Sequence, residues 1–124
     1  TGNIDGLLQL AIQVDGVSVV AARVEVADRD TLLQVGDRVR DRIGSGVVVL
    51  GSTIQEQPAL LAMVTSDQTT NGLHAGKLIQ EIAPIVGGRG GGRPEVAQGG
   101  GSDPARLDEA LAAVESAVRR QIAG

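Results

Sequence analysis

Cysteine, phenylalanine, tyrosine and tryptophan are all missing from this 124-residue chain. Without Cys there is neither a disulfide nor a thiolate metal site, which suits a reducing, cytoplasmic setting. Without an aromatic ring, the core must be built from Val, Leu, Ile and Ala. A bound nucleobase then has no ring to stack on, so the usual single-strand platform is excluded. No apolar run approaches the roughly 20 residues of a membrane span. Thr1-Gly2-Asn3 shows no Met, no basic run and no apolar h-region, so no targeting segment is visible. The missing Met is what a piece of a longer protein would show. Basic charge is not in excess either: 11 Lys and Arg stand against 15 Asp and Glu, a net charge of −4. A chain that coats nucleic acid nonspecifically is excluded by that balance, and RNA binding would need a local patch.

What is present fits one globular domain over residues 1–124. A chain of this size hides roughly 60–70% of its unfolded surface, enough for a core without staples. Leu8, Leu10, Ile12 and Val14 alternate with polar or small residues, the period of a strand buried on one face. Asp15-Gly16 then predicts a two-residue hairpin turn, with Val17 to Val26 as the partner strand. The period changes at Leu32, Val35 or Gly36, Val39 and Ile43, an amphipathic helix capped by Asp28 or Asp30 and stopped at Gly44. Val47 to Leu50 is a continuous β-branched run of the kind found in a strand covered on both faces. Another strand is expected over Ala59 to Thr65. A helix follows over Gly72 to Val86, capped by Thr69, Thr70 or Asn71 and shortened by Pro84. Asp103 and Pro104 open a terminal helix with Leu107, Ala110, Leu111, Val114, Val118 and Ile122 in one stripe. The predicted order is β-β-α-β-β-α, a glycine loop, then α: an α/β fold with a mixed sheet of four to five strands flanked by helices.

Familiar motifs fail on inspection. Gly88-Arg89-Gly90-Gly91-Gly92-Arg93 lacks the last Gly of a dinucleotide fingerprint and follows a helix rather than a strand. Gly72 to Gly76-Lys77 is one residue short of a P-loop, and Leu78 cannot hold magnesium. His74 is the only histidine, which leaves no zinc site to build. Its plain reading is a surface helix residue. The carboxylates, scattered among arginines on helices, read as solvated faces.

Glycine is the exception, with 18 residues, about twice its ordinary share. Composition alone makes the segment from Gly87 to Gly101 a flexible linker. Against that, Arg89 and Arg93 stand four apart and an ordered-looking Pro94-Glu95-Val96-Ala97-Gln98 follows. Gly87, Gly88, Gly90, Gly91 and Gly92 permit close backbone approach, and successive N–H groups can form an anion-binding nest. Arginine adds bidentate phosphate contacts. The segment could therefore clamp a folded RNA backbone.

Gly87-Gly88-Arg89-Gly90-Gly91-Gly92-Arg93-Pro94, with Ala97-Gln98 following, resembles the glycine signature near the end of bacterial alanyl-tRNA synthetases. Lysine is common in that family at the place of Arg89. Val48-Val49-Leu50, Ala75-Gly76-Lys77-Leu78-Ile79 and the terminal helix come in the family's order, so the resemblance runs from about Gly6 to Gln121. It implies the DHH-associated C-terminal fold and a module, itself not catalytic, that docks on the elbow of alanine-specific tRNA. Aminoacylation and editing, with their ATP, magnesium and zinc, would lie in other domains of the parent ligase. DHH phosphoesterases share the fold but typically carry His after the glycine run, where this chain has Arg93. Their substrate-binding half is the enzymatic alternative, and a structural or oligomerisation domain is the third. The family's helical dimerisation subdomain is not recognised in this sequence, so self-association is not inferred. Arg89 and Arg93 lead the expected RNA-binding residues, followed by Lys77, His74 and Gln98. Lys77 could equally be an ordinary helix charge, and Gln98 a partner for loop backbone groups.

Overall fold

The computed structural model describes residues 4–124. Thr1, Gly2 and Asn3, on which the reading of the chain's start rests, lie outside the described residues. The elements are α1 (Ile4–Leu8), β1 (Ile12–Val14), β2 (Val17–Arg23), α2 (Arg29–Ile43), β3 (Val47–Ile54), β4 (Gln57–Val64) and α3 (Ser66–Thr70). They continue with α4 (Ala75–Ile82), β5 (Arg89–Gly92), β6 (Val96–Gly100), α5 (Leu107–Ala112) and α6 (Val114–Ala123). Single turns of 3-10 helix at Ala83–Val86 and Pro104–Arg106 lead out of α4 and into α5.

The six strands form one sheet in the order β1-β2-β3-β4-β6-β5. β2 and β3 are parallel, joined through α2 as a parallel pair requires, and the other neighbours are antiparallel. β3 lies inside the sheet and its first six residues are buried, as its run of Val and Leu predicts. Alternation sends Val48 and Leu50 to the face covered by α2, with Leu32, Val35, Val39, Leu61 and Met63. Val47 and Val49 go to the opposite face, beneath α4, α5 and α6, with Leu60, Leu78, Ile79, Ile82 and Leu107. Each fully buried Leu or Ile contributes roughly 1.5–3 kcal/mol, so a core without a ring can hold the fold.

The mixed sheet between helices agrees with the sequence reading, but the strand count does not. There are six strands because the predicted glycine loop is a hairpin, β5 and β6, that completes one edge of the sheet. The first strand is also shorter than predicted. Ile4, Leu7 and Leu8 take helical spacing and pack toward the α2 face, leaving Ile12 to Val14 as strand. Leu10, counted as inward, is 55% exposed. Asp28 caps α2 by accepting from the Thr31 N–H, and Gly44 ends it with its N–H on the Arg40 carbonyl, both as expected. Asp15 and Gly16 take positive φ in the predicted turn.

Helix α4 starts later than predicted, and its cap is His74 rather than Thr69, Thr70 or Asn71. Those three lie in or after the short α3, which the sequence reading missed. Asp103 and Pro104 do start a helical segment, but as 3-10, and the terminal helix is divided at Ala113. Its stripe is nevertheless right: Leu107, Ala110, Leu111, Val114 and Val118 are buried.

Candidate nucleic-acid interface

The hairpin that carries the arginines is held by its backbone. β5 pairs with β6 from Arg89 opposite Gly100 to Gly92 opposite Ala97, and the turn closes with the Arg93 N–H on the Val96 carbonyl (3.0 Å). Gly87, at φ 73°, turns the chain out of the preceding 3-10 turn, a conformation that favours glycine. Helix α4 then lies against the hairpin at a separation that side chains would forbid. A Cβ on Gly90 would stand 2.4 Å from the Gln98 carbonyl oxygen and 2.7 Å from Ile79 Cγ2. One on Gly76 of the helix would stand 2.5 Å from the Gly92 carbonyl oxygen. On the side a Cβ would occupy, Gly88, Gly90 and Gly92 thus meet the protein's own backbone. Gly91 meets only the flexible Gln80 side chain, and Gly87 the Ser102 hydroxyl.

The hairpin tip also closes the start of α4. Ala75 N–H donates to the Pro94 carbonyl (2.8 Å) and Gly76 N–H to that of Arg93 (3.2 Å). Lys77 N–H donates to His74 Nδ1 (3.1 Å), and Leu78 N–H to the His74 carbonyl (3.1 Å). The last of these is the first bond of the helix itself; with the His74 N–H on Gln121 Oε1 (2.9 Å), all four donors that precede it are satisfied within the chain, leaving none for a ligand phosphate. His74 is itself gripped by α6: Gln121 Oε1 accepts its N–H (2.9 Å) and Gln121 Nε2 donates to its carbonyl (3.3 Å). His74 is a structural cap, a role that an Asx-type N-cap scan does not flag.

Charge separates this region from the rest of the surface. Of 11 Lys and Arg, six form ion pairs among the described residues: Arg23, Arg40, Arg42, Arg106, Arg119 and Arg120. Arg29, Arg38, Lys77, Arg89 and Arg93 form none among them, and four of these five lie on or beside the glycine hairpin. Glu95 is the single carboxylate the hairpin carries. The ion-paired residues neutralise one another over short distances, so the cations left without an ion pair among the described residues are concentrated at the hairpin. At physiological ionic strength the screening length is about 8 Å, and the local patch outweighs a distant net charge.

The residues expected from sequence form two groups. Arg93, Lys77 and His74 meet at the hairpin tip and the start of α4. Arg89 and Gln98 lie on the opposite, α2-facing side of the hairpin, in register with Gly100 and Leu61 respectively. Arg29 joins this second group and was missed. Its Nη1 donates to Gln98 Oε1 (3.4 Å) and its Nη2 to the Gly99 carbonyl (3.1 Å). Gln98 thus has a protein partner, as the plain reading of it expected. A signal for Arg29 was there: a cation in the first turn of a helix opposes the helix dipole, so another task holds it there. Beside it, the Asp28 carboxyl is held below its usual range by the backbone N–H and then the hydroxyl of Thr31. Among the described residues no group of three or more His, Asp or Glu is placed to hold a metal ion, and no helix is long and apolar enough to cross a membrane.

A glycine-stiffened hairpin at a sheet edge, packed on a helix and followed by a helical tail, is the architecture of a known domain, and the DHHA1 domain model matches residues 16–120. The chain belongs to the DHHA1 domain family. This DHHA1 domain is 50% identical over 119 residues to alanine–tRNA ligase of Pelotomaculum thermopropionicum, covering 96% of the chain and 14% of that protein. It is 50% identical over 111 residues to alanine–tRNA ligase of Herpetosiphon aurantiacus, 90% of the chain and 12% of the relative. The chain thus spans about one-seventh of the length of these relatives. Among solved structures, the C-Ala domain of Aquifex aeolicus alanyl-tRNA synthetase has the same fold, with a TM-score of 0.77 at 24% identity over 88% of this chain and 97% of that one. A DHH domain described as a member of the s1p family of ribosomal proteins shares the fold at a TM-score of 0.61 and 12% identity, over 95% of this chain and 30% of that one. The resemblance to alanyl-tRNA synthetases read from the glycine segment holds over the whole domain.

Proposed function

We propose that this domain is the C-terminal module of an alanine–tRNA ligase, and that it holds tRNA at its elbow for aminoacylation and editing performed by other domains. Residues 1–124 act as one binding unit in a cytoplasmic enzyme whose ATP, magnesium and zinc belong elsewhere in the parent. The observation that supports RNA binding most is the cluster of unpaired cations at the hairpin. Among the described residues, Arg29, Lys77, Arg89 and Arg93 form no ion pair with a carboxylate, while six other arginines do. With no aromatic residue, recognition rests on phosphates, 2′-hydroxyls and main-chain approach. The satisfied start of α4 sharpens this: attraction comes from guanidinium and ammonium groups, not from a helix end.

The test is a filter-binding titration of full-length tRNA over a range of salt, comparing the wild-type chain with an Arg89→Ala/Arg93→Ala variant checked by circular dichroism. The variant is expected to bind more weakly, with the salt slope shallower by about 0.7–0.9 per lost phosphate contact. An unchanged affinity and slope would remove both arginines from the interface.

A further inference from the structure

We propose that the α2 side of the hairpin is a subsite for one nucleotide of the bound RNA, its phosphate between Arg29 and Arg89 and its nucleoside in the groove beside them. The proposal rests on the RNA-binding reading above. Register carries one row of residues across four strands: Ser52 opposite Ala59, Ala59 opposite Gly100, Gly100 opposite Arg89. The row lies on the α2 face, and from Ala59 to Gly100 it is almost flat. Over it reaches Arg29, whose Nη2 would stand 2.8 Å from a Cβ at Gly100. The Arg29 guanidinium and the strand position of Arg89, neither ion-paired among the described residues, therefore flank the same glycine. Like charges gathered this way repel unless an anion lies between them, and a phosphate accepts bidentate bonds from both.

Beside this pair opens a groove of about 280 Å³, lined by Asp28, Arg29, Gln55, Gln57, Pro58 and Gly101 among others. Its size is near the lower bound of ordinary small-ligand pockets, about 300 Å³. Two side-chain amides supply donors and acceptors, and the Asp28 carboxylate supplies an acceptor, with Oδ1 already on the Thr31 N–H. That set suits a base with an exocyclic amino group, adenine, cytosine or guanine, over uracil. The rim is held in place: Gln55 and Glu56 adopt φ of 51° and 67°. Both values are those of the two-residue turn that closes β3–β4, with Ile54 opposite Gln57, and this turn fixes Gln55 at the rim.

Four probes separate the parts of the subsite: GMP, UMP, guanosine and inorganic phosphate, each titrated into isotope-labelled chain by NMR. GMP is expected to shift the side-chain amides of Gln55 and Gln57 and the backbone amides of Gly100 and Gly101, with several-fold weaker responses to the other three. Filter binding of full-length tRNA is then measured for wild type, Arg29→Gln and Ala27→Phe, the last filling the groove from an exposed rim position. Arg29→Gln should lower tRNA affinity about tenfold and make the salt slope shallower. Ala27→Phe should lower the affinity with the slope unchanged, because no charge is lost. Identical shifts from phosphate and GMP would overturn the nucleoside assignment. Wild-type tRNA affinity retained in both variants would overturn the subsite while leaving the RNA-binding reading intact, even if GMP itself binds. A wild-type chain that does not bind tRNA would remove the larger reading and the subsite with it.

Discussion

The β3–β4 and β5–β6 hairpins are joined in one sheet through β4 and β6, yet one is held by side chains and the other by their absence. β3 and β4 pair over eight positions and bury Val47 to Leu50 and Ala59 to Val64, so removing atoms weakens them. β5 and β6 carry five glycines in nine strand residues, and their hold on α4 depends on main chains meeting. Adding atoms weakens that hold. The difference explains how a segment with a linker's composition can be rigid.

The comparison can be broken most directly at Gly90. A methyl group there strikes backbone on two sides, 2.4 Å from the Gln98 oxygen and 2.4 Å from the Gly99 Cα, and neither neighbour can step aside. Gly90→Ala should cost about 3 kcal/mol in urea unfolding, comparable to Leu60→Ala in the other hairpin, although one fills space and the other empties it. A loss under half a kcal/mol would show that the hairpin yields. Gly99 sharpens the point, because its Cβ would chiefly meet the end of a side chain, Ile79 Cγ2, at 2.7 Å. Gly99→Ala should therefore be partly rescued by Ile79→Ala, with a coupling of about 1 kcal/mol in a double-mutant cycle; Gly90→Ala should not be rescued.

The turns differ as well. Glu56 sits at φ 67° in the tight turn of β3–β4, so Glu56→Gly should stabilise by about 1 kcal/mol, read as a higher urea midpoint at constant slope. Within β3, Ser52 is 1% exposed and its hydroxyl has no hydrogen-bond partner among the described residues. Ser52→Ala should leave stability unchanged or raise it by a few tenths of a kcal/mol. The smallest effect concerns acid. Asp67 accepts from the Ser45 and Thr65 hydroxyls, which tie the start of β3 to the end of β4, and its carboxyl is held below the ordinary 3.8. Its contribution is present above 3.8 and disappears as pH falls through the lowered native value. Asp67→Asn should thus flatten the acid limb of a stability profile, and an unchanged limb would remove this carboxylate from the account.

The legible parts of the fold were those written in apolar periodicity. Val47 to Leu50, the α2 stripe and its Asp28 and Gly44 caps, and the terminal stripe needed only local rules. What escaped was decided by tertiary geometry. Pairing of Gly90 with Gly99 leaves no side-chain pattern to read, so the hairpin looked like a loop. His74 caps α4 through a ring nitrogen, outside the usual Ser, Thr, Asp and Asn signal. For the candidate site, Arg89, Arg93 and Lys77 were legible as charges near glycines. Arg29 stands 60 positions away from Arg89 in the chain, and only the sheet brings it to Gly99.

Gln121 grips both backbone polar groups of His74 from the far end of the chain. The last helix is thereby a latch: whatever loosens its final turn also releases the platform on which Lys77 and the Arg93 tip rest. Strain arriving through the tail would be felt first at a charged surface more than forty residues upstream, with the central strands undisturbed.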